Sequence, residues 1–330
     1  MTTSFAALSL VALYSAMAVY AIAFVAFAID LARRSVPAAT VPAEHIPVLV
    51  VAGGTSTHEA PGRTDSGPLN ETTPTTRAHS RASRVAFALT VLAWLLHLGA
   101  AVLRAVAGGR VPWANMFEFS LTGSLLIVGV YLLVNLWVDL RFLGTFVIGL
   151  MLILLGVATV GFYVDVVPLP PALQSAWLVI HVFVALLATA FFALSFAASS
   201  LQLVQVRRES KPTPAVGRFA RMLTTIPDAQ SLDVIAYRIT IVGFALWTFT
   251  LMAGSIWAER AWGRYWGWDV KEVWTFIIWV IYAAYIHAKA TRGWQGNRAA
   301  WLAIIGFSAV LFNFGIVNVF FTGLHSYSGL

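Results

Sequence analysis

Eight apolar runs dominate the sequence, each near the roughly 20 residues that a helix needs to cross a bilayer at about 1.5 Å rise per residue. Their approximate limits are 5–29, 85–107, 118–138, 142–163, 176–204, 237–258, 273–291 and 300–322. With 59% hydrophobic residues, 11% charged residues and a mean hydropathy of +0.81 over 330 residues, no ordinary soluble domain accounts for them. A β-barrel would show short alternating segments in place of continuous runs such as LLIVGVYLLVNLWV. The expected fold class is therefore all-α, a polytopic membrane protein of about eight transmembrane helices.

The first run is too long for a signal-peptide core, no basic residue precedes it, and Arg33 and Arg34 follow it, so residues 1–30 read as a retained transmembrane anchor. Lys and Arg placement sets the orientation. The loops 30–84, 139–141, 205–236 and 289–299 carry most of the loop cations, whereas the opposite loops hold only Arg110, Arg260, Arg264 and Lys271. Positive charge favours the cytoplasmic side, which places both termini outside the cytoplasm, in a multi-pass protein of a cell membrane, a bacterial plasma membrane by this reading. The formal charge of +7 follows from this topology, and no nucleic-acid partner is needed to explain it. Residues 31–84 turn abruptly rich in Thr, Gly, Ser and Pro and read as a disordered cytoplasmic linker, with no specific role for His45, His58 and His79 in or beside it. The basic 205–236 loop is expected to rest against lipid headgroups.

Four histidines remain, each inside or beside a span: His97, His181, His287 and His325. Counted along their helices, His97 and His287 fall in the middle-to-inner part of the bilayer, whereas His181 and His325 fall at its outer surface. A histidine on an apolar helix often serves only as a hydrogen-bonding link between helices. Desolvation nevertheless makes an intramembrane ionisable group costly, which marks it as a functional candidate. Two imidazoles at matched depth suit a metal or a haem iron, and the absence of nearby Cys or carboxylate at the inner pair argues against zinc. A b-type electron-transfer protein with stacked haems would carry paired ligands about thirteen or fourteen residues apart on one helix. The separations here are 84, 106 and 38, which makes that alternative the weaker one.

The stretch WGRYWGWDVKEVW, from Trp262 to Trp274, places four tryptophans in thirteen residues with Asp269, Lys271 and Glu272. An interfacial tryptophan belt explains one or two of these but not so dense a run. The stretch resembles the WWD signature of the haem-handling superfamily. The segments HLGAAVLRAVAGGRVPWANMFEFS, LPPALQSAWLVIHV, WDVKEVWTFIIWVIYAAYIH and VNVFFTGLHSYSGL further resemble the CcsA/ResC family of cytochrome c biogenesis system II. The likeness runs from about residue 88 to the C-terminus.

This resemblance implies a seven-helix haem-handling core over 85–330, with an external WWD segment at 259–274. It implies that His97 and His287 ligate haem b within the membrane, and that His181 and His325 flank the platform of Trp262, Trp266, Trp268 and Asp269. The implied function is haem delivery and presentation to apocytochrome c for thioether attachment at a Cys-x-x-Cys-His segment, as a subunit of a holocytochrome c synthase, with His181, His325 and Asp269 at the reaction site. The implied partners are a Ccs1/ResB-type membrane protein and a thioredoxin-like thiol reductant, besides the lipid bilayer. The chain has no cysteine, so the thiols must come from the apocytochrome. A haem transporter or chaperone without ligation activity is the alternative. Arg104, seven residues after His97 on nearly the same helical face, meets a haem propionate or else snorkels to the outer headgroups. Glu118 is read either as ordering the external loop or as a plain helix-start carboxylate.

Overall fold

In the computed structural model the described residues are 2–33, 80–167, 169, 173–211, 217–291, 294 and 296–325. Among them lie eight helical segments long and apolar enough to cross a membrane, as the apolar runs predict. The first three are α1 (Thr2–Arg33), α2 (Arg81–Gly108) and α3 (Met116–Val134); a 3₁₀ turn at Arg141–Leu143 then leads into α4 (Gly144–Gly161). After these come α5 (Ala176–Glu209), the short α6 (Arg218–Leu223), α7 (Ala229–Trp262) and α8 (Val270–Ala290). The last span is α9 (Asn297–Phe314), continued after Gly315 by α10 (Ile316–Phe320).

The helices outrun the apolar stretches that reveal them. α7 starts at Ala229, not near 237, because Asp228 caps it by accepting from Ser231 N at 2.6 Å. Hydropathy marks the part of a helix that lipid covers, and capped polar turns extend it on either side. The same reasoning moves the start of α2 to Arg81, where Ser80 accepts from Ser83 N at 3.0 Å. The last residues of the expected linker are therefore helical, while 34–79, with all three linker histidines, lie outside the described residues.

Lipid tails are as apolar as the side chains they surround, so packing and hydrogen bonds between helices must hold such a bundle together. α1 lies along α2 and α5 along α7, while α5 also meets α3 and α9, and α8 packs on α9 and α7. Phe192 of α5 stacks on Tyr282 of α8 with centroids 3.6 Å apart and rings 4° from parallel. Tryptophan indoles link neighbouring helices through their N–H groups: Trp94 donates to the Leu125 carbonyl at 3.0 Å, Trp247 to that of Thr275 at 3.1 Å, and Trp279 to Thr248 Oγ1 at 3.0 Å. Near the opposite end Asp233 of α7 pairs with Lys289 of α8 and accepts from Gln202 of α5 at 3.1 Å. Gln205 donates to the carbonyls of Leu223, Ile226 and Pro227, tying the α6 loop to α5. This up-and-down path gathers the start of α5, the end of α7, the start of α8 and the end of α10 on one face.

Candidate functional site

The loop from Gly263 to Asp269 is built on the first turn of α8. Asp269 is the N-cap, accepting from Lys271 N at 3.4 Å, and Glu272 completes a capping box by accepting from Asp269 N at 3.1 Å. Glu272 also accepts from Gly267 N at 2.8 Å, so one carboxylate grips the backbone on both sides of Trp268. That grip holds Trp268 at φ 59°, a left-handed conformation that an aromatic residue adopts only where its surroundings impose it.

Asp269 reaches across to the segment after α10. Its Oδ1 accepts from Leu324 N at 3.2 Å and its Oδ2 from His325 Nδ1 at 2.8 Å. A carboxylate only accepts, so the His325 proton lies on Nδ1. The bond to His325 holds the Asp269 carboxyl below the usual carboxylate range. Packed edge-on against the same imidazole are Trp262 at 4.8 Å and Trp257 at 5.4 Å between centroids.

His181, near the start of α5, stacks on the other part of Trp257 at 5.8 Å and 16°. Its Nδ1 lies 3.0 Å from the Thr250 carbonyl, which likewise fixes the proton on Nδ1. Room for the ring exists because α7 carries Gly254: a Cβ there would stand 2.7 Å from His181 Cε1 and 2.8 Å from Nδ1. Both imidazoles thus have Nδ1 anchored and Nε2 without a hydrogen-bond partner among the described residues. Both line a single cavity with an open mouth, walled by Trp113, Trp247, Trp257, Trp266 and aliphatic side chains. His181 is deep in the fold yet only part-buried, because it borders that space.

The donor set fits haem. Two imidazoles anchored through Nδ1 suit the axial positions of an iron whose other ligands a macrocycle supplies, and the anchoring partners fix ring orientation. A bare metal ion lacks the further ligands it needs, because no group of three or more His, Cys, Asp or Glu able to hold one exists among the described residues. The indole walls of the cavity suit a flat apolar ring.

Of the residues singled out from the sequence, His181, His325 and Trp266 meet at this cavity, and Trp262 buttresses His325. Trp268 is 76% exposed and touches Trp266 edge-on at 5.9 Å, so it stands outside the wall. Asp269 orients His325 and lies behind it. The inner histidines are not brought together. His97 is fully buried on α2, edge-on to Tyr20 at 6.0 Å; the Leu121 carbonyl is near it, yet neither ring nitrogen has a hydrogen bond of good geometry. His287 lies on the exposed face of α8, and α2 packs on α1 and α3 while α8 packs on α7 and α9. Matched depth along two helices says nothing about whether those helices are neighbours. Arg104 neither snorkels nor borders the cavity. It is 2% exposed, with Nε 3.1 Å from Glu118 Oε1, Nη2 donating to the Val164 carbonyl at 2.5 Å, and its guanidinium over Phe117. Glu118 also binds Arg110 at 2.6 Å and Ala114 N at 2.9 Å, ordering the loop before α3.

Sequence reading missed Thr250, Gly254, Trp257 and Lys271. The first three form an i, i+4, i+7 stripe on α7, a period that would have marked one face. Lys271 sits one turn inside the tryptophan stretch and was passed over as a loop cation.

A profile of the family described as Cytochrome C assembly protein matches residues 113–325. The chain is 35% identical over 242 residues to "Cytochrome c biogenesis protein CcsA" of Guillardia theta, covering 69% of this chain and 80% of that protein. It is 43% identical over 176 residues to the protein of the same name from Prochlorococcus marinus subsp. pastoris, covering 48% and 55%. Among solved structures it resembles "Cytochrome c Heme Lyase CcmF" with a TM-score of 0.62 at 16% identity, covering 94% of this chain and 46% of that one, a likeness of fold. The matched segment spans His181, the tryptophan stretch and His325, and the chain belongs to the cytochrome c assembly protein family.

Proposed function

We propose that this protein handles haem for cytochrome c biogenesis as the haem-presenting subunit of a holocytochrome c synthase. One observation carries the reading: two imidazoles far apart in the chain, each anchored through Nδ1, offer Nε2 to one tryptophan-walled cavity. The substrate haem is held there with its iron ligated by His181 and His325, and its vinyl groups accept the two thiols of an apocytochrome Cys-x-x-Cys-His segment. The chain contributes binding and orientation, since it has no cysteine of its own. Holding two reactants in register is worth roughly 7–11 kcal/mol of barrier in favourable cases. Asp269 keeps the His325 ring aligned, and Glu272 holds the loop that carries Trp266.

The bias in loop cations supports an extracytoplasmic position for the cavity, where apocytochrome is met. A Ccs1/ResB-type membrane protein and a thioredoxin-like reductant complete the reaction on this reading. The haem of this reading is the one at His181 and His325; His97 and His287 lie on helices whose main neighbours differ.

The test is reconstitution. Purified protein, haem and a reduced Cys-x-x-Cys-His peptide, with the ResB-type partner added, are expected to give covalent haem-peptide, detected by its mass. Haem transfer to the peptide without thioether formation would favour the chaperone reading.

A further inference from the structure

Three cations near the cavity have different surroundings. Arg104 and Arg110 share the Glu118 carboxylate, so their charge is met inside the protein. Lys271 has no carboxylate within ion-pair distance among the described residues. Its Nζ donates to the Asn313 carbonyl at 3.2 Å and to Asn318 Oδ1, both neutral. Asp269 is within electrostatic range but is occupied by His325, Leu324 N and Lys271 N, and Glu272 is occupied by Gly267 N and Asp269 N. An ammonium has three donors, so one remains, and the side chain lines the cavity. A charge withdrawn from water without an opposite charge is costly, which makes an anion entering this space favourable.

We propose that Lys271 is the cavity's anchor for a ligand carboxylate: on the haem reading above, on which this inference rests, it binds a propionate. His181 is within electrostatic range of both Lys271 and His325, so the cation and the two imidazoles serve one ligand. Asn313 and Asn318 hold the ammonium in place without neutralising it. The consequence is orientation. Propionates and vinyl groups occupy different edges of the macrocycle, so pinning a propionate at Lys271 turns the vinyl edge away from α8. Axial ligation alone leaves the ring free to rotate about the His–Fe–His axis; the third attachment removes that freedom.

The test compares haemin with haemin dimethyl ester, which lacks the carboxylates, by quenching of tryptophan fluorescence in the purified full-length chain. The wild type is expected to bind haemin about tenfold more tightly than the ester, the scale of one charge-assisted hydrogen bond. Lys271→Gln is expected to erase that preference by weakening haemin alone, and Lys271→Arg to keep most of it. Unchanged ester binding in Lys271→Gln shows that its cavity is intact. A Lys271→Gln protein that still prefers haemin tenfold, or that loses both ligands equally, overturns the assignment. Haemin binding in the wild-type background that is indifferent to His181→Ala and His325→Ala overturns the haem reading itself, and the propionate with it.

Discussion

His325 donates its Nδ1 proton to Asp269 Oδ2 across 2.8 Å, tying the segment after the last helix to the first turn of α8. The same carboxylate caps α8 and accepts from Leu324 N, so one side chain sets the position of a ligand, a loop and a helix start. A Cβ on Gly323 would stand 2.2 Å from its Oδ1, which shows how closely the two segments approach.

Because the folded protein holds the Asp269 carboxyl below its ordinary value, the clamp's contribution is fully present above the ordinary carboxylate range. It is lost as pH falls through the depressed folded value. In haem-free protein, hydrogen exchange at Leu324 N is expected to rise only below that range, after correction for intrinsic exchange. Asp269→Asn should show fast exchange already at neutral pH. Slow Leu324 exchange in Asp269→Asn at pH 7 would contradict the clamp.

Gly254 faces His181 so closely that any side chain must displace the ring or the helix. Gly254→Val should lower haem affinity at least tenfold by breaking the His181 bond to Thr250, with an overpacking cost of about 1–3 kcal/mol in stability. Gly156, with nothing within 4 Å of its Cβ position, is the control, and Gly156→Ala should leave affinity unchanged. Equal affinity in Gly254→Val and wild type would mean that His181 is not held as described.

Much of this arrangement is legible in the sequence because its physics is local. Apolar runs of membrane length give the eight spans, and the Asp-x-x-Glu pattern at Asp269 and Glu272 lies inside the tryptophan stretch where α8 begins. Lateral neighbours are not local. His97 and His287 share a depth, yet helix pairing puts one in the core and the other on an exposed face. Arg104 follows the same logic: its partner Glu118 is on the next helix, and only packing shows that the charge is met there and not at the cavity.

Removing one partner of that buried pair leaves the other charge unmet. Glu118→Ala and Arg104→Ala are expected to cost about 3–5 kcal/mol in stability, seen as earlier thermal unfolding in detergent. Haem affinity per folded molecule should be nearly unchanged in Arg104→Ala. A selective loss of haem affinity without loss of stability would return Arg104 to the binding site.

The tryptophans of the loop should separate by position. Trp266 lines the cavity and Trp268 projects from it, so Trp266→Ala should weaken haem binding several-fold more than Trp268→Ala in the isolated protein. Equal effects measured by fluorescence-independent absorption titration would mean that the loop closes on haem in a way that brings Trp268 inward.

The paired axial ligands are tested most directly by the absorption spectrum of the protein purified from haem-replete cells, compared with His181→Ala and His325→Ala. Wild type should carry low-spin bis-histidine haem, and each variant should lose that signature, with added imidazole restoring part of it by filling the vacated position. An unchanged low-spin spectrum in both variants would contradict ligation by His181 and His325.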